Sequence, residues 1–191
     1  MRKTGLYFGS FNPIHIGHLI IANHLVNYSE LDELWFVISP QNPLKKKSSL
    51  LADYHRLEMV KRAIDDNPQF KASDIEFKLL QPSYTIHTLT YLSEKYPDHQ
   101  FYLIMGADNL TVLDKWKNYE QILEQYHICV YPRPGFDGGD FQNHPKVQWI
   151  NAPLIEISSS FIRQAIHQGK PVRYYLHPAV WKYMDEMNFY K

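Results

Sequence analysis

Two histidines near the amino end of the sequence have the spacing and the neighbours of a group that handles phosphate. His15 and His18 are three positions apart, and Gly17 lies between them. Imidazoles at this spacing can face the same side of a first helical turn. A helix start also offers unpaired N–H groups and a partial positive charge, both of which suit phosphate. The pair therefore predicts a phosphate site with two proton-bearing rings aimed into it.

Two other interpretations of the histidine pair stay open. Imidazole is a common zinc ligand, so His15 and His18 could form half of a metal site, or both could be structural. The sequence has no CxxC or HExxH motif to supply the remaining ligands. Gly17 would let a ligand approach the backbone closely, which favours phosphate. We predict no protein metal site here, and we expect His24 to point elsewhere.

The elements around the histidine pair are a strand, a tight loop and a helix. The apolar run at 6–8 stops at Gly9 and Ser10, where small residues permit a sharp turn. Apolar residues then recur with helical spacing between 19 and 26. The histidines therefore lie at the junction between the loop and the helix.

The rest of the chain alternates in the same way, which predicts the α/β class with a Rossmann-like parallel sheet flanked by helices. In the helix predicted for 52–66, Tyr54 is expected to face inward together with Leu57 and Val60. The segment 70–79 alternates in part like a strand. Further elements are predicted as strands at 33–39, 100–105, 127–131 and 147–150, and as helices at 85–96, within 110–125, and at 158–168 and 178–187.

Three chemistry-bearing segments each follow a predicted strand. They are 9–18, the lysine-rich loop 40–47, and 106–109. Ligands bind at the carboxyl ends of parallel strands, near the point where the strand order reverses. The three segments should therefore meet at one edge of the sheet.

Composition sets the wider limits. The 191 residues fit one domain over 1–191 with a full core, in which 158–191 is a helical portion. The 20 basic and 20 acidic side chains argue against a non-specific nucleic-acid binder. The single cysteine, Cys129, lies in an apolar run and is predicted to fill the core. No signal peptide or membrane span is predicted, so we expect a cytoplasmic protein, with its oligomeric state open.

The segment 9–18, read GSFNPIHIGH, resembles the (H/T)xGH motif of the nucleotidyltransferase superfamily. More closely, the chain is similar to the bacterial nicotinate-nucleotide adenylyltransferases. The segments 83–89, 106–109 with Trp116, and 157–163 resemble that family's SYTxxTL, GAD-to-W and ISSTxIR motifs in order and spacing. The departures are Ser10 for a frequent glycine, Asn12 for the usual aspartate, and His87 within the second motif.

The resemblance implies adenylyl transfer from ATP to nicotinate mononucleotide, with Mg²⁺, yielding the deamido dinucleotide and pyrophosphate. Catalytic roles fall on His15, His18 and Arg163, the histidines as hydrogen-bond donors. The ATP site comprises Gly9, Ser10, Phe11, His15, His18, Gly106, Asp108, Ser159, Ser160 and Arg163, completed by the portion 158–191. The mononucleotide site comprises Asn12, Lys45, Tyr84, Thr85 and Trp116, with Lys45 chosen from the lysines at 45–47.

Several residues in this set also have ordinary structural interpretations. Ser158 or Ser159 could be a helix N-cap, Thr85 another, and Trp116 part of the core. The functional interpretation gives the pyridine ring an aromatic partner in Trp116 and its carboxylate the helix start at Thr85. Because a neutral nicotinamide would gain less from that helix start, we predict a preference for the acid form.

Rival functions come from two classes. Sibling enzymes could use nicotinamide mononucleotide, pantetheine phosphate, FMN or a cytidylyl donor, and class I aminoacyl-tRNA synthetases share the HIGH string. The chain has no KMSK-type segment and no basic surface excess for tRNA. A non-catalytic nucleotide sensor or a zinc module is the other class, and neither explains why phosphate-type and aromatic segments follow strands at one predicted edge.

Overall fold

Strands and helices alternate along the computed structural model, which describes residues 1–40 and 50–191. Lys45, Lys46 and Lys47 lie outside the described residues, so the choice of Lys45 stays a prediction. The strands are β1 (Arg2–Gly9), β2 (Glu33–Ile38), β3 (Phe70–Ser73), β4 (His99–Gly106), β5 (His127–Tyr131) and β6 (Val147–Trp149). The helices are α1 (Ile16–Tyr28), α2 (Asp53–Ile64), α3 (Thr85–Lys95), α4 (Ala107–Leu110), α5 (Tyr119–Gln125), α6 (Ser159–His167) and α7 (Pro178–Glu186).

The described strands form one parallel sheet in the order β3-β2-β1-β4-β5-β6. The chain winds outward from β1 to β3 on one side and from β4 to β6 on the other. The strand order therefore reverses between β1 and β4, where Leu6 is registered with Leu103. The predicted α/β class with a Rossmann-like sheet is confirmed.

Continuous apolar strands place a core on each face of this sheet. All six residues of β2 are buried, which explains why its sequence lacks the alternation of a half-exposed strand. One core cluster includes Leu25 of α1 and Val60 of α2, and the other includes Leu89 of α3 and Ile122 of α5. The helices are thus fixed on both faces, and their ends define the edge where ligands would bind.

Two details of the predicted elements are wrong. Tyr54 is 65 % exposed, whereas Arg56 is fully buried on the inner face of α2. The strand predicted over 70–79 ends at Ser73, and a 3₁₀ turn follows at Ile75–Lys78. The strand is short because it pairs only with β2, from Leu34 opposite Phe70 to Val37 opposite Ser73.

Cys129 fills the core as predicted. It is 1 % exposed in β5, and burial raises the pKa of its thiol to about 12. A thiol in that state is a poor nucleophile. Within residues 1–40 and 50–191, no helix is long and apolar enough to cross a bilayer.

Candidate active site

A cleft of about 220 Å³ opens where the strand order reverses. Gly9 and Ser10 at the end of β1 line it, together with Ile104 of β4. Tyr84 and Thr85, at the start of α3, also line it. The loop after β1 and the start of α3 therefore face one cavity, and it lies at the carboxyl ends of the strands, where ligands bind in parallel sheets.

The start of α3 supplies hydrogen-bond donors to the cleft wall. Tyr84 is the N-cap residue in an extended conformation, and Thr85 is the first helical residue. The first N–H groups of a helix have no acceptor within it, and the helix dipole favours an anion there. Lys117 lies over the Tyr84 ring at 4.5 Å, which adds a positive charge on the same wall.

Trp116 lines the cleft between two lysines, Lys115 and Lys117. Its indole Nε1 is buried and has no hydrogen-bond partner among the described residues. A buried donor without an acceptor is costly, so the arrangement favours a ligand that brings one. Trp116 packs against the core beside α3 and also lines the cleft.

His15 and His18 come together at the start of α1 as the sequence predicts. His15 is the N-cap residue, and the two rings stack with centroids 3.7 Å apart. The His18 Nδ1 accepts the backbone N–H of His15 at 3.2 Å, a contact usually made by an acidic or amide side chain at this position. An accepting Nδ1 assigns the proton of the neutral His18 ring to Nε2.

The environment of His15 keeps its ring neutral. His15 is 5 % exposed, and burial together with the positive charge of Arg133 lowers its pKa to about 4. Its Nδ1 has no hydrogen-bond partner within the described part of the chain. Gly17 packs here too, because a Cβ would lie 2.9 Å from Ile155 and 3.0 Å from the His15 ring. The structure thus needs Gly17 for internal packing, independently of any ligand.

The lowered pKa of His15 has a measurable consequence. Because the unfolded chain binds a proton near pH 6.5 and the folded chain near pH 4, stability should fall as the pH drops through that window. We expect the wild type to lose about 1–2 kcal/mol more unfolding free energy than His15→Asn between pH 7 and pH 5. Asparagine retains an N-cap side chain. Urea unfolding of both proteins at pH 7 and pH 5 measures this difference. Equal losses of unfolding free energy in the wild type and in His15→Asn would contradict the prediction.

The turn at Asn12 and Pro13 is held from several sides. Arg163 Nη1 donates to the Asn12 carbonyl at 2.8 Å, and the Ser159 hydroxyl donates to the Pro13 carbonyl at 2.9 Å. The Asn12 side-chain Oδ1 accepts the Tyr190 hydroxyl at 2.5 Å and the Leu51 N–H at 3.2 Å. The turn that precedes His15 is therefore attached to α6 and to the C-terminal segment.

Two predicted ligand contacts fall on buried side chains. Asn12 and Phe11 are each 2 % exposed. The Asn12 amide oxygen is used within the protein, and the Phe11 ring packs edge-on against Tyr7, His18 and Phe36. Both side chains are therefore engaged within the protein. The acceptor oxygen of Asn12 would also be present in an aspartate.

The three serines before α6 have separate roles. Ser158 is the N-cap, and its hydroxyl accepts the Phe161 N–H at 3.2 Å, which matches the structural interpretation for that residue. Ser159 bonds to the turn, and Ser160 accepts Arg163 Nη2 at 3.2 Å. Arg163 is thereby oriented beside the turn that leads to His15, with guanidinium N–H groups beyond these two contacts.

Asp108 lies at the end of β4 opposite an arginine that the sequence analysis missed. The Arg133 Nε is 3.7 Å from Asp108 Oδ1, and its Nη2 donates to the Tyr131 hydroxyl at 3.4 Å. A Cβ on Gly106 would lie 2.4 Å from Asp108 Oδ1, so glycine permits this close packing. Arg133 comes two residues after β5, and the end-of-strand rule applied to that strand would have found it.

Two further buried charges escaped the sequence analysis. Arg56 is fully buried and donates to the carbonyls of Ser10 and Ser39, which follow β1 and β2. Glu76 is 2 % exposed and lines the cleft. Nothing in the neighbouring sequence predicts that either residue is buried, because the groups that bond to Arg56 and Glu76 include residues from other segments of the chain.

The structure divides the predicted residues into two neighbouring groups. Gly9, Ser10, Tyr84, Thr85 and Trp116 line the cleft. The remaining predicted residues that the structure describes are not part of the cleft lining: Phe11, Asn12, His15, His18, Gly106, Asp108, Ser159, Ser160 and Arg163. Among the described residues, no three His, Cys, Asp or Glu side chains lie close enough together to hold a metal ion.

The chain is similar to known proteins over nearly its whole length. The sequence model of the cytidylyltransferase-like family matches residues 6–165. The chain is 56 % identical over 191 residues to the probable nicotinate-nucleotide adenylyltransferase of Flavobacterium johnsoniae, covering 99 % of each chain. It is 58 % identical, with the same coverage, to the corresponding protein of Flavobacterium psychrophilum.

Solved structures share the fold. The Plasmodium falciparum nicotinic acid mononucleotide adenylyltransferase complexed with NaAD has a TM-score of 0.84 and 24 % identity, covering all of this chain and 98 % of that one. The family model over residues 6–165, together with the shared fold, defines a nucleotidyltransferase. The identities to the curated relatives then fix the family, and the chain belongs to the nicotinate-nucleotide adenylyltransferases.

Proposed function

We propose that the protein transfers the adenylyl group of ATP to nicotinate mononucleotide, a step of NAD biosynthesis. The observation that carries the proposal is the cleft at the strand-order reversal, where the buried Trp116 Nε1 has no acceptor among the described residues. The α3 start at Thr85 lies on the same cleft. A flat ring with a carboxylate matches both features.

The charges on the cleft support the acid form of the acceptor. Lys115 and Lys117 flank Trp116, and the positive end of the α3 dipole lies at Thr85. A carboxylate on the pyridine ring gains from both, whereas a neutral amide gains less. Glu76 opposes this preference, but its carboxylate is turned to hydroxyl groups of the protein.

The chemistry requires no nucleophile from the protein. A phosphate oxygen of the mononucleotide attacks the α-phosphorus of ATP, the bond to the bridging oxygen breaks, and pyrophosphate leaves with the electron pair. Catalysis then consists of positioning and of stabilising negative charge. We assign His15 and His18 to the α-phosphate oxygens as N–H donors, and Arg163 to the leaving pyrophosphate. Arginine suits that role because it can bind two phosphate oxygens at once.

Mg²⁺ belongs to the proposal as a companion of ATP. When bound with ATP, the ion would neutralise phosphate charge, and its ligands would come mainly from the nucleotide and from water. Asp108 is a carboxylate of the predicted ATP site, but the Arg133 Nε already lies 3.7 Å from its Oδ1. We therefore expect the nucleotide, rather than Asp108, to hold most of the ion.

A direct assay tests the proposal. Protein, Mg²⁺ and ATP are mixed with nicotinate mononucleotide, nicotinamide mononucleotide or pantetheine phosphate, and pyrophosphate and dinucleotide are measured. We expect the highest kcat/KM with nicotinate mononucleotide. Pyrophosphate release only with one of the other two acceptors would indicate a related adenylyltransferase that uses that acceptor. No release with any acceptor, despite ATP binding, would favour a non-catalytic sensor and refute the proposal.

Trp116→Ala tests whether the aromatic wall selects the acceptor. We expect the KM for nicotinate mononucleotide to rise by roughly 10- to 100-fold, because the stacking surface and the indole donor are both lost. The KM for ATP should stay within about twofold. Trp149→Ala is the matched control, since Trp149 is 40 % exposed on the edge strand β6 and its Nε1 is satisfied by Gln142. Equal effects of both variants would contradict the assignment.

The proposal also includes a cytoplasmic location and no nucleic-acid partner. The free, buried thiol of Cys129 and the balanced net charge support these two points. Cell fractionation with activity measured in each fraction checks the location, and activity confined to a membrane fraction would contradict it.

A further inference from the structure

Glu76 is a buried carboxylate on the wall of the cleft to which the proposed chemistry gives no role. It lies in the 3₁₀ turn at Ile75–Lys78, is 2 % exposed, and lines the cavity beside Tyr84 and Thr85. Burying a carboxylate is costly unless hydrogen bonds compensate it. An apolar side chain would have filled the same volume without that cost, so the contacts of Glu76 need an explanation.

The contacts of Glu76 enclose the start of α3. Thr88 Oγ1 donates to Oε1 at 2.8 Å, and Ser83 Oγ donates to Oε2 at 3.1 Å. Tyr84 and Thr85, the proposed acceptor contacts, lie between these two residues in the chain. One carboxylate thus holds the residue before Tyr84 and a residue in the first turns of the helix. A shift of Glu76 would move both ends of the segment that faces the acceptor.

Ser39 joins Glu76 to the ends of β1 and β2. Ser39 and Glu76 line the same cleft. A hydrogen bond from the Ser39 side chain favours the charged form of Glu76 and so opposes the rise in its pKa, and the Ser39 N–H donates to the Gly9 carbonyl at 2.9 Å. Gly9 ends β1 and lines the cleft. Burial raises the pKa of Glu76, while the three hydroxyl donors oppose that rise. The carboxylate therefore links the α3 start to the ends of β1 and β2.

We propose that Glu76 is a positioning residue for the acceptor mononucleotide: it holds the Ser83–Thr88 segment in register with the ends of β1 and β2. The proposal rests on the proposed function, because it takes Tyr84 and Thr85 as acceptor contacts. It assigns Glu76 an effect on the binding of one substrate, which a residue that only stabilises the fold would not have.

Glu76→Gln is the main test, with steady-state kinetics for both substrates. We expect the KM for nicotinate mononucleotide to rise about tenfold, the effect of losing one hydrogen bond to a charged acceptor. The KM for ATP and kcat should stay within about twofold. An unchanged KM for the mononucleotide, or equal rises for both substrates, would overturn the proposal.

Glu33→Gln is the matched control. Glu33 is also a fully buried carboxylate that accepts side-chain hydrogen bonds, from Thr4 and from the Trp35 indole. It is the first residue of β2 and so lies at the amino ends of the strands, whereas the cleft lies at their carboxyl ends. Its substitution should lower Tm and leave both KM values unchanged. A rise in the mononucleotide KM equal to that of Glu76→Gln would reduce Glu76 to a general stabilising residue and overturn the proposal.

Thr88→Val covers the case in which Glu76→Gln does not fold. Thr88 is fully buried and does not line the cleft, and valine keeps its shape while removing the donor to Glu76. A rise in the mononucleotide KM of about two- to fivefold must then act through Glu76. No rise would overturn the proposal. Activity of the wild type with nicotinate mononucleotide tests the proposed function separately. A failure of the proposed function can therefore be distinguished from a failure of the proposed role of Glu76.

Discussion

Replacing His18 with alanine is expected to lower kcat by about 100- to 1,000-fold, the usual effect of removing one preorganised donor from a developing negative charge. His18 stacks on His15 at the start of α1, and its Nδ1 accepts the His15 N–H. That contact leaves Nε2 as the protonated nitrogen of the neutral ring. The lost interaction is one that strengthens in the transition state, so both KM values should change little.

The control for this variant lies on the same helix. His24 stacks on Tyr28 at 4.7 Å, on the outer part of α1, and His24→Ala should leave kcat within about twofold of the wild type. Melting temperatures of both variants separate a loss of fold from a loss of rate. A wild-type kcat in His18→Ala would remove His18 from the catalytic group.

Replacing Arg56 with alanine should have the largest effect on stability. The side chain is fully buried, and its guanidinium donates to the carbonyls of Ser10 and Ser39 at 2.5 and 2.9 Å and to Asp53 at 2.6 Å. Burial lowers the pKa of Arg56, and the ion pair with Asp53 opposes that change. Removing the cation leaves several buried acceptors without donors, so we expect a loss of about 3–5 kcal/mol in the free energy of unfolding.

Arg62→Ala is the matched control for that loss. Arg62 lies on the same helix and pairs with Glu58 at 2.7 Å, but both side chains are 39 % exposed. Exposed pairs at this spacing contribute about 0.3–0.5 kcal/mol. Urea unfolding of both variants measures the difference. Similar losses for Arg56→Ala and Arg62→Ala would contradict the inference that the buried guanidinium holds the ends of β1 and β2 together.

The sequence was sufficient for those parts of the site that follow from local rules. A strand that ends in Gly9 and a helix that begins after His15 can be read from residue types and apolar spacing alone. The strand-end rule then predicted that the segments 9–18 and 106–109 would meet at one edge, and Ser10 and Asn109 line the same cleft. These predictions succeeded because each depends on a few neighbouring residues and on the handedness of parallel α/β connections.

The remaining parts depend on contacts between distant segments. Arg56 and Tyr54 are two residues apart in α2, and amphipathic spacing favours the tyrosine as the inner residue, but the backbone carbonyls beyond β1 and β2 require the arginine. Asn12 was assigned to the mononucleotide site by resemblance alone. The Tyr190 hydroxyl, 178 positions away, donates to its side-chain oxygen inside the protein. No window of sequence contains both partners.

The hydrogen bond from Tyr190 to Asn12 also links activity to the order in which the protein loosens on heating. Segments outside the sheet can open at free energies below that of global unfolding. Local opening of residues 188–191 would remove the Tyr190 contact from the turn at Asn12 and Pro13, while the contacts from Arg163 and Ser159 and both core clusters remain. We therefore expect thermal inactivation to begin before the loss of helical circular dichroism.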